Sequence, residues 1–283
     1  MDQETVFVFT EVPITIHHGA EAPHALIDVR VGTKTIQLAI DTGHAAAPFL
    51  LSPSVLADLD VVYTGITQEN YDAFGRKYES KEFILPEVQI GSLTLDQVLG
   101  LEFLFPYDTP GVIGMPFLRQ FNLFFDHPNQ RFGLYHRGQL PTYVSDPEWI
   151  KVELLSPCPG IVIPVKFRDD EETYYFLLDS PSIVEDGEKR GYDLIRSQSN
   201  LGKRLQMMAL VEACPSEVGV MGRFCSSDFH TLGGEKLEAL NFMLVDLQNT
   251  QWDALLGYHF LSQNSIFVDI NHDCLYLKPM STT

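Results

Sequence analysis

Residues 36–43 read IQLAIDTG, and residues 174–181 read YYFLLDSP. In both stretches a short apolar run ends in an aspartate, which is followed by a hydroxyl residue, Thr42 or Ser180. The runs are rich in branched or aromatic residues, and this composition favours buried strands. The sequence therefore predicts two strands that each present a carboxyl group at the carboxyl end of the strand.

The segments around these two stretches are also similar to each other. Residues 112–126 (VIGMPFLRQFNLFFD) align without a gap with residues 255–269 (LLGYHFLSQNSIFVD), 143 positions later. Further pairs of segments align at similar offsets: 25–31 with 161–167, 36–43 with 174–181, and 90–103 with 232–245. A repeated order at a nearly constant offset indicates two structurally similar lobes that differ by small loop insertions.

The boundary between the lobes is predicted in the turn-rich segment 136–147 (HRGQLPTYVSDP). The N-terminal lobe then covers residues 1–143 and the C-terminal lobe residues 144–283. Most predicted elements are strands, and Gly and Pro interrupt them at short intervals, so the predicted fold is all-β with short helices and a pseudo-twofold arrangement. Residues 193–212 are the one longer helical candidate and are interpreted as an insertion in the second lobe.

This pattern resembles the aspartic peptidase family, in its retropepsin-like and pepsin-like branches. Each lobe of such an enzyme contributes a hydrophobic-Asp-Thr/Ser-Gly loop, and a hydrophobic-hydrophobic-Gly strand passes beneath that loop. Here the glycine segments end at Gly114 and Gly257, which lie 73 residues after Asp41 and 78 residues after Asp179. The resemblance extends from about residue 24 to residue 278 and implies a bilobal acid-protease fold within one chain.

The resemblance implies that Asp41 and Asp179 are a catalytic pair that hydrolyses extended peptides. In this chemistry one ionised carboxylate takes a proton from water, and a protonated carboxyl donates to the scissile carbonyl oxygen. Two carboxyl groups this close cannot both ionise easily, so their pKa values split and the pair shares one proton. The reaction uses no covalent intermediate, and the resemblance implies neither a metal nor another cofactor.

Four neighbours are implied to support the pair. Thr42 and Ser180 would form a reciprocal hydrogen-bonded grip, in which each hydroxyl bonds into the opposite lobe. Gly43 would offer its backbone N–H to the carboxylates and allow the loops to approach closely. Ser182 matches the hydroxyl that bonds the outer oxygen of a catalytic carboxylate.

Two residues depart from the family pattern. His44 stands where Ser or Ala is usual, and it could donate to Asp41, add positive charge or point away. Pro181 replaces the second-loop glycine, and proline has no N–H to donate. The loss of a donor to the ionised form predicts that Asp179 is the more readily protonated partner. A displaced loop could also impair catalysis, because small misplacements cost large factors in rate.

A flap hairpin is expected over the cleft, around residues 70–78 (NYDAFGRKY). Phe74 and Gly75 would form its tip, and Tyr71 or Tyr78 would lie over the substrate. Ordinary packing is the alternative interpretation of these aromatic residues. A weaker counterpart in the second lobe would lie near residues 214–222.

Three functions remain open from the sequence. The first is an active aspartic endopeptidase with Asp41 and Asp179 in one chain, acting on a peptide or protein substrate. The second is a peptide-binding protein that no longer cleaves, for which Pro181 is the argument. The third is a homodimer in which Asp41 pairs with its symmetry mate; the second aspartate argues against it, so we expect a monomer.

Composition excludes several other classes. The 283 residues carry 38 acidic and 19 basic side chains, a formal charge of −19, and this acidity argues against nucleic acid as a partner. No apolar run reaches the roughly 18 residues of a membrane span, so no membrane partner is expected. The sequence contains no GxSxG, GxxxxGK[ST] or HExxH motif, which leaves serine-hydrolase, nucleotide and zinc sites unsupported.

The compartment is only weakly indicated. The first residues lack a basic segment followed by an apolar one, so no secretory signal is expected in this chain. The four cysteines form no CxxC motif, and the sequence has no Asn-x-Ser/Thr site. These features slightly favour the cytoplasm.

Overall fold

A computed structural model describes residues 10–18, 23–71, 75–105, 109–180, 184–185, 191–208, 220–223, 228–237, 240–248 and 250–280. This part of the chain is mostly strand, with short helices. None of the helices in these ranges is long and apolar enough to cross a membrane.

The strands of the first half are β1 (Thr10–Pro13), β2 (Thr15–His18), β3 (Pro23–Val31), β4 (Lys34–Asp41), β5 (Phe49–Leu51), β6 (Val62–Tyr71), β7 (Lys77–Ile90), β8 (Leu93–Glu102), β9 (Gly111–Gly114), β10 (Asn122–Asp126) and β11 (Arg131–Tyr135). Those of the second half are β12 (Ile150–Glu153), β13 (Val162–Phe167), β14 (Tyr174–Leu178), β15 (Val184–Glu185), β16 (Gly191–Arg196), β17 (Val220–Arg223), β18 (Phe229–Thr231), β19 (Asn241–Val245), β20 (Ala254–Leu256), β21 (Asn264–Asp269) and β22 (Cys274–Pro279). The helices are α1 (Pro53–Leu56), α2 (Met115–Leu118), α3 (Asn200–Met207) and α4 (Tyr258–Ser262).

Each half of the chain builds its own eight-stranded sheet. The first-lobe sheet has the order β2-β3-β4-β9-β5-β8-β7-β6, and the second-lobe sheet has the order β17-β19-β16-β20-β14-β13-β18, with β15 paired to β16. The central strands follow one plan, because β3-β4-β9-β5-β8 corresponds to β13-β14-β20-β16-β19. The predicted all-β bilobal fold is confirmed.

The strand register places a glycine beside each aspartate. β4 runs parallel to β9, and Asp41 lies opposite Gly114. β14 runs parallel to β20, and Leu178 lies opposite Leu256, so Asp179 and Gly257 follow at the next position. The spacings of 73 and 78 residues in the sequence thus correspond to one register in two sheets.

A third, six-stranded sheet joins the two halves in the order β1-β11-β10-β21-β22-β12. At its centre β10 and β21 run antiparallel, and Phe124 lies directly opposite Phe267. These two phenylalanines are the residues that the sequence comparison aligns at an offset of 143. The local twofold axis therefore passes beside this pair. The proposed boundary at residue 143 falls in the 3-10 turn Thr142–Ser145, between β11 and β12.

Two of the short helices begin directly after a glycine. Gly114 precedes α2 and Gly257 precedes α4, each in an extended conformation. The longer helix predicted over residues 193–212 is corrected over its described part, because β16 extends to Arg196 and α3 begins at Asn200. Residues 209–212 lie outside the described residues. Two facts explain the difference: β16 is a central strand between β19 and β20, and Ser199 caps α3 by accepting from the Gly202 N–H at 3.0 Å.

The interlobe sheet packs an aromatic cluster on one face. Phe267 is fully buried there, and its ring centroid lies 5.4 Å from that of Tyr135 in an edge-on arrangement. Phe124 and Val144 complete the buried part of the cluster. Residues of both lobes thus meet in a buried aromatic cluster.

We expect Phe267→Ala to lower the free energy of unfolding by about 3–5 kcal/mol, because it leaves a cavity in this cluster. Denaturant unfolding checks the value. Met280→Ala, at a side chain that is 49% exposed, is the control and should change the free energy by less than about 0.5 kcal/mol. Equal effects of the two substitutions would contradict the role given to the aromatic cluster.

Candidate active site

The Asp41 and Asp179 loops meet through two buried hydroxyl groups. Thr42 is 1% exposed and Ser180 is 3% exposed. The Thr42 hydroxyl donates to the Leu178 carbonyl at 2.6 Å, and the Ser180 hydroxyl donates to the Ile40 carbonyl at 2.5 Å. Each hydroxyl therefore bonds to the strand that ends at the opposite aspartate.

The same hydroxyl groups also accept from the opposite loop. The Thr42 N–H donates to the Ser180 hydroxyl at 3.2 Å, and the Ser180 N–H donates to the Thr42 hydroxyl at 3.0 Å. These four bonds join the two loops reciprocally, and we call them the loop grip. Since all the groups are buried, breaking the grip would leave unpaired polar groups.

The grip brings the two aspartates of one chain together. A Cβ placed on Gly43 would lie 2.2 Å from Oδ1 of Asp179, so only glycine allows this approach. Oδ1 of Asp41 accepts from the N–H groups of Gly43 at 3.0 Å and His44 at 2.8 Å. The Gly43 N–H thus serves its own loop's carboxylate.

Burial governs the protonation of both carboxyl groups. It raises the pKa of Asp41 to about 6, against the opposing effect of the His44 and Gly43 N–H donors. It raises the pKa of Asp179 well above its usual value, and the nearby Asp41 charge raises that pKa further. Asp179 is therefore the more readily protonated carboxyl, which is the order predicted from the sequence. Pro181, on which that prediction relied, lies outside the described residues, as does Ser182.

The His44 ring turns away from the carboxyl pair. Its Nε2 accepts from the Ala47 N–H at 3.1 Å, and burial lowers its pKa to about 4. Only the backbone of His44 bonds to Asp41. A Cβ on Gly114 would lie 2.8 Å from Cδ2 of this ring and 2.4 Å from the Ala47 carbonyl oxygen, so the glycine makes room for the His44 loop.

The glycine strand beneath the second loop has a partner that the sequence interpretation missed. Asp179 donates its N–H to the Leu256 carbonyl at 2.8 Å. The next N–H, of Gly257, donates to Oδ1 of Asp193 at 2.7 Å. In the first lobe the Gly114 N–H donates instead to the Pro48 carbonyl at 2.8 Å. Asp193 is missed because residues 193–212 are predicted to be helical. An alignment of β16 with β5 places a carboxyl group at the position of the buried Phe49 and would have identified Asp193.

The predicted flap is a hairpin of β6 and β7, in which Tyr71 lies opposite Lys77. Gly75 near its tip has φ of +79°, and a Cβ built on it would lie 3.3 Å from Oε1 of Gln248. The tip thus reaches across to the second lobe. Phe74 lies outside the described residues.

The two flap tyrosines have partners within the first lobe. Tyr71 is 50% exposed, and its hydroxyl donates to Glu69 at 2.7 Å. The Tyr78 ring lies 4.4 Å from the Phe103 ring, between centroids.

The described residues bring together no cluster of three His, Cys, Asp or Glu side chains that could hold a metal ion.

Comparison with known proteins identifies the architecture. No protein-family model matches the sequence. A comparison with curated proteins likewise finds no match. Among solved structures, the chain is similar to an aspartic proteinase from Irpex lacteus, with a TM-score of 0.61 and 13% sequence identity over 97% of this chain and 98% of that one. The chain therefore has the bilobal fold of the aspartic peptidases.

We expect Thr42→Val to lower the free energy of unfolding by about 2–4 kcal/mol, because it removes the hydroxyl from the grip without changing the shape of the side chain. Thr42→Ser keeps the hydroxyl and is the matched control, with an expected loss near 1 kcal/mol for one methyl group. Denaturant unfolding measures both. A loss for Val no larger than that for Ser would show that the grip contributes little.

The raised pKa values also predict a pH effect on stability. A carboxyl group whose pKa is higher in the folded chain than in the unfolded chain binds its proton more tightly when folded. Its contribution to folding stability therefore falls as pH rises, for Asp41 from the ordinary pKa of 3.8 through the folded pKa of about 6. Asp41→Asn and Asp179→Asn remove this penalty. We therefore expect both variants to become more stable relative to wild type as pH rises from about 4 to about 7.

Thermal unfolding at a series of pH values tests this expectation. Asp96→Asn, at an exposed side chain of β8, is the control for the loss of one surface carboxyl group. Parallel curves of stability against pH for wild type and both loop variants would show that burial does not destabilise the two ionised carboxyl groups.

Proposed function

We propose that this chain, which has the bilobal fold of the aspartic peptidases, is an aspartic endopeptidase whose catalytic residues are Asp41 and Asp179. The observation that carries the proposal is the buried loop grip, which holds two partly buried aspartates from the two lobes side by side. Both carboxyl groups lie in one chain, so the working unit is a monomer with two related lobes.

The two carboxyl groups have different roles. Asp41, stabilised as an anion by the Gly43 and His44 N–H groups, takes a proton from the attacking water. Asp179, held neutral by burial and by the Asp41 charge, donates its proton to the scissile carbonyl oxygen. The tetrahedral intermediate then collapses with proton transfer to the leaving amine. Only the state with Asp41 ionised and Asp179 protonated is active.

This assignment predicts the pH range of activity. Because the pKa of Asp41 is about 6, the active state is depleted in acid and increases as pH rises through that value. Loss of the Asp179 proton, whose pKa burial and the Asp41 charge raise well above its usual value, sets the alkaline limit. The pair titrates as a unit, so the two limbs of the profile belong to the dyad.

The substrate is an extended stretch of peptide or protein that lies between the lobes. The hairpin of β6 and β7 covers this space, and Gly75 at its tip meets Gln248 of the second lobe. An extended chain suits such a cleft, since its main-chain groups bond strand edges and its side chains enter alternate pockets.

A peptide-binding protein without cleavage is the second candidate function. The residue that favours it is Pro181, which follows Ser180 of the grip and cannot donate a backbone hydrogen bond. This candidate predicts binding of extended peptides at every pH with no hydrolysis. Pro181→Gly would then create or increase cleavage.

Cleavage of a diverse peptide library, followed by mass spectrometry from about pH 4 to 8, tests the proposal. We expect wild type to cleave best above about pH 6, and we expect Asp41→Asn and Asp179→Asn each to lose about 1,000-fold or more in kcat/KM. Asp96→Asn should cleave as wild type does. No cleavage by folded wild type at any pH, together with peptide binding, would establish the second candidate instead.

A further inference from the structure

A third buried carboxyl group lies beneath the second loop. Asp193, in β16, is 2% exposed. Its Oδ1 accepts from the Gly257 N–H at 2.7 Å, whereas its Oδ2 has no hydrogen-bond partner among the described residues. A half-satisfied carboxyl in an interior is costly, so its presence requires a reason.

One peptide group connects this carboxyl to the second catalytic aspartate. The Leu256–Gly257 peptide accepts from the Asp179 N–H through its carbonyl, at 2.8 Å, and donates to Asp193 through its N–H. The backbone of Asp179 is thus tied to a peptide whose other side is held by Asp193. A shift of that peptide moves the carboxyl group of Asp179 relative to Asp41.

In the first lobe, the N–H of the equivalent glycine bonds to a backbone carbonyl instead of a side chain. There the corresponding strand is β5, and the Gly114 N–H donates to the Pro48 backbone carbonyl. The position equivalent to Asp193 is held by Phe49, which is fully buried. Both strands pair antiparallel with the glycine strand of their own lobe, which defines the equivalence. A carboxyl has therefore replaced an apolar side chain at a core position of one lobe only.

We propose that Asp193 is a positioning residue for Asp179, which it orients through the Leu256–Gly257 peptide. The inference rests on the proposed peptidase function for its effect on rate. Its structural content, that removal of this acceptor shifts Asp179, is independent of that function. A displacement of about 1 Å at a catalytic carboxyl is enough to cost on the order of 100-fold in rate.

The surroundings of Asp193 are apolar. A small cavity beside it is lined by Phe176, Phe229, Leu240, Phe242 and other apolar side chains. Burial raises the pKa of Asp193 to about 8, against the opposing effect of the Gly257 and Phe260 N–H groups, so the carboxyl is neutral at lower pH.

The ionisable groups on the packed elements have their own partners. On α4, the His259 ring bonds to Asn241 and Gln263. Before β20, the Asp253 carboxylate accepts from the Tyr175 N–H. On β16 itself, Arg196 donates to the Trp252 carbonyl. The other acid connected to Asp193 is Asp179, through the shared peptide.

The test compares Asp193→Leu, which removes the acceptor but keeps the number and branching of the side-chain heavy atoms, with Asp193→Asn, which keeps the acceptor. Ile195→Ala, at a buried neighbour in β16, is the control for general destabilisation. We expect Asp193→Leu to lower kcat about 30–100-fold with KM within about 3-fold, and Asp193→Asn to recover at least about 10-fold of that loss. Ile195→Ala should lower kcat less than about 3-fold.

A second readout does not need activity. Carboxyl ¹³C NMR of the Asp41–Asp179 pair, assigned with the two Asn variants, reports its titration directly. Asp193→Leu should shift the apparent pKa values of the pair, and Asp193→Asn should leave them closer to wild type. If Asp193→Leu does not fold, Asp193→Ala takes its place in both measurements.

The outcomes separate the two proposals. An unchanged titration in the folded Leu or Ala variant overturns the positioning role, whether or not the chain cleaves peptides. A kcat loss equal to that of Ile195→Ala, or an Asn variant as impaired as the Leu variant, overturns it as well. If wild type never cleaves peptides but Asp193→Leu still shifts the titration of the carboxyl pair, the positioning of Asp179 is supported and the peptidase is rejected.

Discussion

The structure depends on the loop grip between Thr42 and Ser180. Each hydroxyl is satisfied only by groups that belong to the other lobe, namely the carbonyls of Leu178 and Ile40 and the opposite loop N–H. Neither lobe can satisfy these groups alone, because their partners belong to the opposite lobe. A buried polar group left without a partner would destabilise the fold. The grip therefore sets the relative position of the lobes at the place where the two aspartates must meet.

The carboxyl pair uses the position that the grip creates. Burial favours the neutral form of both aspartates, but the other groups around the two carboxyl groups differ. Asp41 accepts two backbone N–H bonds and has the lower pKa, whereas Asp179 stands against the Cα of Gly43 and remains the protonated partner. Two chemically identical side chains thus acquire different proton affinities from their surroundings. The price is a loss of folding stability as pH rises.

The lobes are similar but not equivalent. Their sheets share the order of the central strands, and their contact at Phe124 and Phe267 lies on the local twofold axis. Beneath the loops the symmetry is broken, since a backbone carbonyl holds the Gly114 N–H and the Asp193 carboxyl holds the Gly257 N–H. A repeat supplies two copies of one scaffold, and individual substitutions then differentiate the two halves of the site.

The sequence by itself determined the two aspartate strands, the glycine strands beside them, the hydroxyls of the grip and the bilobal all-β fold. These features are readable because each is a local pattern that occurs twice at nearly constant offset. The sequence also predicts a hairpin around residues 70–78, where β6 and β7 pair in the structure. The extent of the helix after residue 193 was not, because β16 takes its conformation from β19 and β20 on either side.

Only the tertiary structure decided the rest. The His44 ring bonds to Ala47 rather than to Asp41, the flap tip meets Gln248, and Asp193 holds the peptide under Asp179. Each of these contacts joins residues through space, and its energy depends on burial and distance. Local sequence patterns carry residue type and spacing along the chain, whereas pKa values and hydrogen-bond partners arise from neighbours that only folding brings together.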